Sequence, residues 1–335
     1  MVSRMIRRAL LGTTAGICIA GTTAVSGQAP ALNAPPSLPT DSAAYGSDGF
    51  RLAVLMQVRA DFTEAAGESS TFFLRKAEVG IRARVAPWTH LLVELDPVRP
   101  SDPFRRTYLR LSHVSWLHLK LGMEKAPLGL EELLSSARIP FVDRSEVNDR
   151  YAAAEEVGVH LESRWERWLA QFSVTNGGRR LLRDDNDHKD VAARLVWAPR
   201  PDFSIGAAGL RGRAGPSELE RRRYSGELRL GAGDSGVQAE LYSARDGAVR
   251  SHALYVAAFH AMSTEFGAIP QIQPAVRYER VDRDDGLVAD ELSLITVGAS
   301  LLLDGHRSKL QVNYLWDLRE GLHENALRVQ YQVEF

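Results

Sequence analysis

Arginines stand at alternate positions along this chain, each row facing an apolar row. Arg51, Arg59, Arg82, Arg84, Arg110, Arg194, Arg229, Arg277 and Arg328 share the polar side of such rows. A guanidinium keeps its charge at any physiological pH and holds phosphate or carboxylate through paired N–H donors. A surface carrying many of them could attract and pass anions. Carboxylates share the same side: Asp61, Glu78, Glu94, Asp96, Glu162, Glu227, Glu240 and Glu291. A ring of one sign would exclude the opposite ion, whereas mixed charge sets up a transverse field with weak selectivity. Pairing between the two sets is an equally good reading for any single residue.

Other chemistry has little foothold. The nine histidines are scattered without metal-ligand spacing, and Cys18 is the single cysteine. His160 and Glu162 share a face, but no nucleophile is placed within reach of them. "GLRGRAG" does not lie between a strand and a helix, so it makes no phosphate cradle. No catalytic residue, metal or cofactor is expected, and the reading is of a non-enzyme.

What positions the charged rows is period-two alternation. In "FRLAVLMQVRADF", Phe50, Leu52, Val54, Met56, Val58 and Phe62 oppose Arg51, Gln57, Arg59 and Asp61. In "FLRKAEVGIRARV", Ala77, Val79, Ile81, Ala83 and Val85 oppose Lys76, Glu78, Arg82 and Arg84. Such alternation predicts strands with one apolar and one polar face. About sixteen segments follow the rule, near 50–62, 72–86, 89–96, 106–115, 117–123, 155–163, 168–176, 189–198, 203–211, 222–231, 237–244, 252–261, 268–279, 290–303, 308–317 and 326–335. Their lengths suit the roughly 9–11 residues a tilted strand needs to cross a bilayer. Connections alternate between short turns ("APW", "SW", "RWER", "PRPD", "GAGDSG", "STEFG", "DGHR") and longer charged loops ("TEAAGESS", "NGGRRLLRDDND", "RGRAGPSELER"). That asymmetry predicts an all-β transmembrane antiparallel barrel with short periplasmic turns. Trp88, Trp116, Trp165, Trp168 and Trp197 fall at the short-turn end and Trp316 at the other, as an interfacial girdle would place them. A lipid-facing sheet edge would leave backbone groups unpaired at several kcal/mol each, so the sheet must close. About sixteen strands enclose a water-filled lumen.

The bulk numbers agree. The 41 basic and 42 acidic residues among 335 give a formal charge of −1, with no general attraction for nucleic acid. "MVSRMIRR" followed by "ALLGTTAGICIAGTTAVSG" reads as a cleaved signal peptide over 1–27, with export to the outer membrane of a Gram-negative cell. Residues 28–48 read as a flexible leader rich in Pro, Ala and Ser, and 49–335 as the barrel. "ALRVQYQVEF" reads as a strand whose apolar side, with Tyr331 and Phe335, faces lipid and serves as the signal read by the outer-membrane assembly machinery.

The pattern breaks once, over "EKAPLGLEELLSSARIPFVDRSEVNDRYAAAEE", the third long loop. Leu130, Leu133, Leu134 and Ala137 give Leu128 to Ala137 a short helical pattern, and apolar residues in so long a loop imply packing against the lumen wall. "LKLGMEKAPLGLEELLSSARIPFVDRSEVND" resembles the phosphate-selective porin O and P family at Gly122, Lys125, Pro127, Gly129, Leu130, Glu131, Ser135, Ser136, Phe141, Asp143, Arg144, Ser145 and Asn148. "FLRKAEVGIRARV", "EEVGVHLES" and "FSVTNGG" are similar too, so the likeness covers roughly residues 70–180. The resemblance implies a porin with residues 124–154 as a constriction loop and phosphate uptake along a basic path. Lys125, Glu131, Glu132, Arg138, Asp143, Arg144 and Arg150 are the expected constriction residues. The expected function is passive diffusion of small hydrophilic solutes, with anions such as phosphate as candidates. The alternative is a barrel whose lumen is plugged and which binds or scaffolds. Expected partners are outer-membrane lipid, the assembly machinery and small solutes or anions, with a homotrimer left open and nucleic acid excluded.

Overall fold

The computed structural model describes residues 49–64, 69–177, 183–184, 186–287, 290–319 and 324–335. The sequence-based segments 1–27 and 28–48 lie outside the described residues. Sixteen strands wind antiparallel around the barrel: β1 (Phe50–Thr63), β2 (Thr71–Ala86), β3 (Thr89–Leu95), β4 (Phe104–Val114), β5 (Leu117–Lys125), β6 (Glu155–Trp165), β7 (Trp168–Thr175), β8 (Asp190–Arg200), β9 (Phe203–Ala214), β10 (Leu219–Ala232), β11 (Ser235–Asp246), β12 (Val249–Phe259), β13 (Gln271–Asp282), β14 (Leu292–Asp304), β15 (Ser308–Asp317) and β16 (Ala326–Glu334). Each pairs with its sequence neighbours, and β1 pairs with β16 from Leu55↔Glu334 to Thr63↔Ala326, closing the sheet. A two-residue piece, Met262–Ser263, adds to the edge of β13 where β12 breaks off. Every one of the sixteen alternating segments is a strand of the barrel.

Alternation decides which side chains meet which solvent. On β1, Leu52, Met56, Val58 and Phe62 are exposed on the outside, while Gln57 and Arg59 are buried inside. The same division holds on β12, where Leu254 and Val256 face out while Ala253, Tyr255 and Ala257 face in. Closure gives every strand a partner on both sides, so neither backbone edge is left to lipid.

The connections differ from expectation in two places. "RGRAGPSELER" is not a long loop: β9 runs to Ala214 and β10 starts at Leu219, so residues 215–218 alone turn the chain. Outward arginines hid the strand ends there, because charged residues broke the apolar row. On the turn side, the chain between β12 and β13 occupies residues 260–270 and exceeds the brief "STEFG" turn. Trp88, Trp116, Trp165, Trp168 and Trp197 all lie exposed at the turn end, with Trp168 and Trp197 adjacent across β7 and β8. Trp316 is exposed at the far end. Tyr331 faces outward, and the Phe335 N–H donates to the Val54 carbonyl at 3.0 Å, continuing the β1–β16 seam.

The buried apolar cluster sits inside the barrel. Leu128, Phe141, Val147 and Tyr151 of the segment between β5 and β6 join Leu210, Tyr242, Tyr255 and Phe259 of the wall. That segment contains two short helices, α1 (Leu130–Leu133) and α2 (Glu146–Tyr151). The helical pattern expected from Leu128 to Ala137 shrinks to α1, because Leu134 is already extended. The second helix was not expected, although Ser145 at its N-cap, accepting from the Asn148 N–H at 3.0 Å, is a recognisable start signal.

Candidate functional site

The long loop leaves and returns through a paired neck. The Ala126 N–H donates to the Ala154 carbonyl at 3.3 Å and the Ala153 N–H to that of Leu128 at 3.2 Å. Gly129 then turns the chain with φ +103°, where an added Cβ would stand 2.7 Å from the Ala152 Cβ. This left-handed conformation is one that L side chains rarely adopt. The turn aims the first N–H groups of α1 at the wall. The buried Glu240 carboxylate on β11 accepts from Leu130 N–H at 2.6 Å and Glu131 N–H at 3.2 Å. It also accepts from the hydroxyls of Tyr242 at 3.1 Å and Tyr255 at 2.9 Å. A carboxylate there satisfies donors that the helix start leaves without partners. At the other end of α1, the Lys125 ammonium donates to the carbonyls of Glu132 and Leu134, and Arg144 donates to those of Glu131 and Leu134. Cations at a C-terminus complement the carbonyl ends.

From Ala137 the loop runs along the inner faces of β14 to β16. Gln332 donates to the Ala137 carbonyl at 3.2 Å, Lys309 to that of Ile139 at 3.0 Å, and Ser300 to that of Pro140 at 3.2 Å. The Val142 N–H donates to Asn313 Oδ1 at 2.6 Å. Asp143 follows and gathers three arginines from three adjacent strands. Arg59 and Arg75 reach its Oδ1 at 2.8 and 2.9 Å, and Arg328 reaches Oδ2 at 2.8 Å. Burial alone would raise this carboxyl, but Arg75, Arg59 and Arg328 outweigh it and hold it at about 2. Arg277 lies 4.6 Å over the Phe141 ring and donates to the Asp143 and Arg144 carbonyls. It is paired with Glu279 at 2.7 Å and Glu131 at 3.3 Å. Glu131 in turn accepts from the backbone and hydroxyl of Ser145, both at 2.7 Å, so α1 and α2 are tied together.

These bonds fasten the loop to β11 and β13–β16, with β1 and β2 added at Asp143. Across from it, against β2 to β5, lies a cavity of about 470 Å³. The wall contributes Arg75, Lys76, Glu78, Glu94, Arg105, Arg106 and Lys125, and the segment between β3 and β4 contributes Arg99. The loop side contributes Glu132, Ser135, Ser136, Arg144, Asn148 and Asp149, with Glu155 at the start of β6. Seven of the lining residues are Arg or Lys (Arg75, Lys76, Arg99, Arg105, Arg106, Lys125, Arg144) and five are acidic (Glu78, Glu94, Glu132, Asp149, Glu155). Asp149 has one face open to the cavity, yet the loop around it desolvates the carboxyl. That burial, with the neighbouring carboxylates Glu131, Glu132 and Glu146, outweighs Arg144 and pushes it up to about 6.

The expected constriction residues separate into groups. Lys125, Glu132 and Arg144 line the cavity; Glu131 and Asp143 are anchors behind it. Arg138 is exposed and pairs with Glu334 at 3.5 Å, and Arg150 is exposed beside the Tyr151 ring. Of the inward arginines, Arg59, Arg110, Arg194 and Arg277 are buried, and Arg82 and Arg229 are half-buried. Arg51 and Arg84 are exposed near the turn end. Arg194 is locked between Glu227 at 2.6 Å and Gln171 at 2.7 Å, so it serves the wall. Arg75 was missed because strict alternation assigns it to the outside. A bulge between Gln57 and Val58 shifts the β1–β2 register, and Arg75 turns inward to Gln57 and Asp143. A second irregularity, between Val93 and Leu95, lets the consecutive Arg105 and Arg106 both reach inward carboxylates, Asp96 at 3.5 Å and Glu94 at 2.8 Å. His160 Nε2 lies 3.2 Å from the Glu156 carbonyl, and Glu162 is held by Arg164 and Gln171.

Comparison with known proteins adds to this geometry. Residues 58–206 match the model of the family described as phosphate-selective porin O and P, so the resemblance read from the sequence is borne out over that stretch. No curated protein sequence matches the chain. Among solved structures, the Salmonella typhi OmpF complex with daunomycin is similar at TM-score 0.64 and 12% identity, covering 86% of this chain and 98% of that one. The trimer form of in-vitro folded OmpT, an outer membrane protein of Vibrio cholerae, is similar at TM-score 0.60 and 11% identity, covering 85% and 99%. A mutant of Rh. blastica porin gives TM-score 0.58 and 12% identity, covering 85% and 100%. At such identities the likeness is one of fold, a porin-type barrel.

Proposed function

We propose that this barrel is an outer-membrane porin whose long loop constricts the lumen and whose remaining passage conducts small hydrophilic solutes, with a preference for anions such as phosphate. The observation that carries the anion preference is the lining of the cavity between the loop and β2 to β5, with seven basic against five acidic side chains. An excess of fixed positive charge in a narrow, low-dielectric passage concentrates anions and repels cations. Because most of these groups are also paired, the preference is modest, and a solute exchanges contacts with them instead of being held. The family match over residues 58–206 supports the porin reading and the outer-membrane location.

Purified protein in a planar bilayer tests this. Stepwise current increments are expected, with a reversal potential of anionic sign in a salt gradient, and phosphate is expected to reduce the chloride current. Lys76→Glu evens the lining at six basic and six acidic residues, and the reversal potential is expected to move towards zero. Repeated incorporation without current steps would favour the plugged-barrel alternative. A cation-selective wild type would remove phosphate from the proposal.

A further inference from the structure

The outer face carries a feature that solute passage does not use. Arg222 on β10 is paired in register with Arg211 on β9 and with Arg245 on β11, and Arg245 is paired in turn with Arg250 on β12. Four arginines therefore stand side by side on four adjacent strands, in one register row, within about 14 Å at the usual strand spacing. All four occupy outward positions, since the same faces below them carry Ile205, Tyr224, Leu241 and Leu254, each exposed on the apolar surface. The row lies close to the hairpins at residues 215–218 and 247–248, at the end from which the long loop also springs.

Like charges directly opposite one another on a sheet destabilise it unless counter-charge is supplied. Glu220 supplies part of it, pairing with Arg222 at 2.6 Å and with Arg211 at 3.7 Å. Among the described residues no ion pair reaches Arg245 or Arg250, and the Arg245 Nε donates to the Gly247 carbonyl at 3.0 Å. Elsewhere on the same rim stand the edge-to-face pair Phe62 and Phe72 and the exposed Trp316, while the outward Arg280 on β13 is already neutralised by Glu291 at 2.7 Å. A basic row immediately above an apolar band, with an exposed Tyr224 between them, matches a lipid whose acyl chains lie against the band and whose headgroup carries phosphate. Guanidinium forks suit phosphate oxygens in particular.

We infer that Arg211, Arg222, Arg245 and Arg250 form a headgroup site for a phosphorylated lipid of the outer leaflet, seated on the outside of β9 to β12. The inference rests on the barrel standing in the outer membrane with its long loop outward. It does not depend on what the lumen passes.

The test uses the full chain in non-ionic detergent, titrated with a diphosphorylated acylated glycolipid, with the same glycolipid stripped of phosphate, and with inorganic phosphate. Lipid adducts are counted by native mass spectrometry, and the temperature of heat-modifiable mobility is followed in parallel. Each basic side chain near an anionic lipid surface is worth roughly a five-fold gain in affinity. The four-fold Arg→Gln variant, four positive charges poorer with Glu220 left in place, is expected to bind the phosphorylated lipid on the order of 600-fold more weakly. The four-fold Arg→Lys variant is expected to keep most of the binding. Arg245→Gln with Arg250→Gln, which leaves the Glu220 pairs in place, covers the case in which the four-fold variant does not fold. Equal binding of the lipid stripped of phosphate, or unchanged binding by both Gln variants, would overturn the inference. Displacement by inorganic phosphate at equal concentration would reassign the row to free phosphate and overturn the lipid site. Current steps recorded from each preparation keep a failure of the channel reading separate from a failure of this one.

Discussion

Replacing Asp143 by Asn keeps the shape of the side chain and removes the charge that three arginines share. The wild-type carboxyl titrates at about 2, against roughly 3.9 for an unperturbed aspartate, a difference equivalent to about 2.6 kcal/mol in favour of the ionised, docked loop. The sign follows from the depressed value: this contribution is complete above about pH 4 and fades as pH falls towards 2. Loss of about 2.6 kcal/mol raises the undocked fraction of the loop roughly 80-fold. The reporter is the Val142 amide, which donates to Asn313 Oδ1 at 2.6 Å one residue before Asp143. Its hydrogen-exchange protection reads local opening directly and is expected to fall by about that factor in Asp143→Asn, while amides within the strands stay protected. Acidifying the wild type from pH 4 towards 2 is expected to erode the same protection, with the variant flat across that range. Unchanged Val142 protection in the variant would refute the claim that Asp143 anchors the loop.

Three further perturbations address the neighbouring contacts. Glu240→Gln gives Leu130, Glu131, Tyr242 and Tyr255 a single acceptor oxygen where they now share two; leaving a buried donor unmet is expected to cost about 1–3 kcal/mol, read as noisier single-channel current and faster amide exchange in α1. Gly129→Ala places a Cβ at φ +103° and 2.7 Å from the Ala152 Cβ. It is expected to weaken loop docking by on the order of 1–3 kcal/mol, with little change in barrel mobility on heating, and exchange rates in α1 decide it. Asp149, held up at about 6 by burial and by neighbouring carboxylates, loses its charge as pH falls through that value; anion preference is expected to rise between pH 7.5 and 5 and to be insensitive in Asp149→Asn, as measured by reversal potential.

The barrel was legible because lipid and water enforce a two-residue period along most of the length of the strands. The segments that hid were those where the period fails for a physical reason. Arg211, Arg222, Arg245 and Arg250 stand on the outer face, so charge interrupted the apolar row and the β9–β10 hairpin read as a long loop. Arg75 escaped because a bulge at Gln57/Val58 moves it to the other face, and no side-chain pattern marks a bulge in advance. The anchoring of the loop was equally hidden. Asp143 and Glu131 read as lining residues from their charge, whereas pairing with Arg59, Arg75, Arg328 and Arg277 turns them into fixings. Such pairings join residues far apart in the chain, and composition does not encode them.

That distance has a consequence for how the protein matures. The loop is made early, between β5 and β6, yet most of its fastenings, Glu240, Arg277, Ser300, Lys309, Asn313, Arg328 and Gln332, lie downstream, by up to 195 residues. Contacts of such separation form late, because the intervening chain must first be brought together. Until β13 to β16 have joined the sheet, most of these fastenings are missing. The seam and the Asp143 anchor use the same two strands, β1 and β16, so sealing the sheet also brings Arg59 and Arg328 together around the loop.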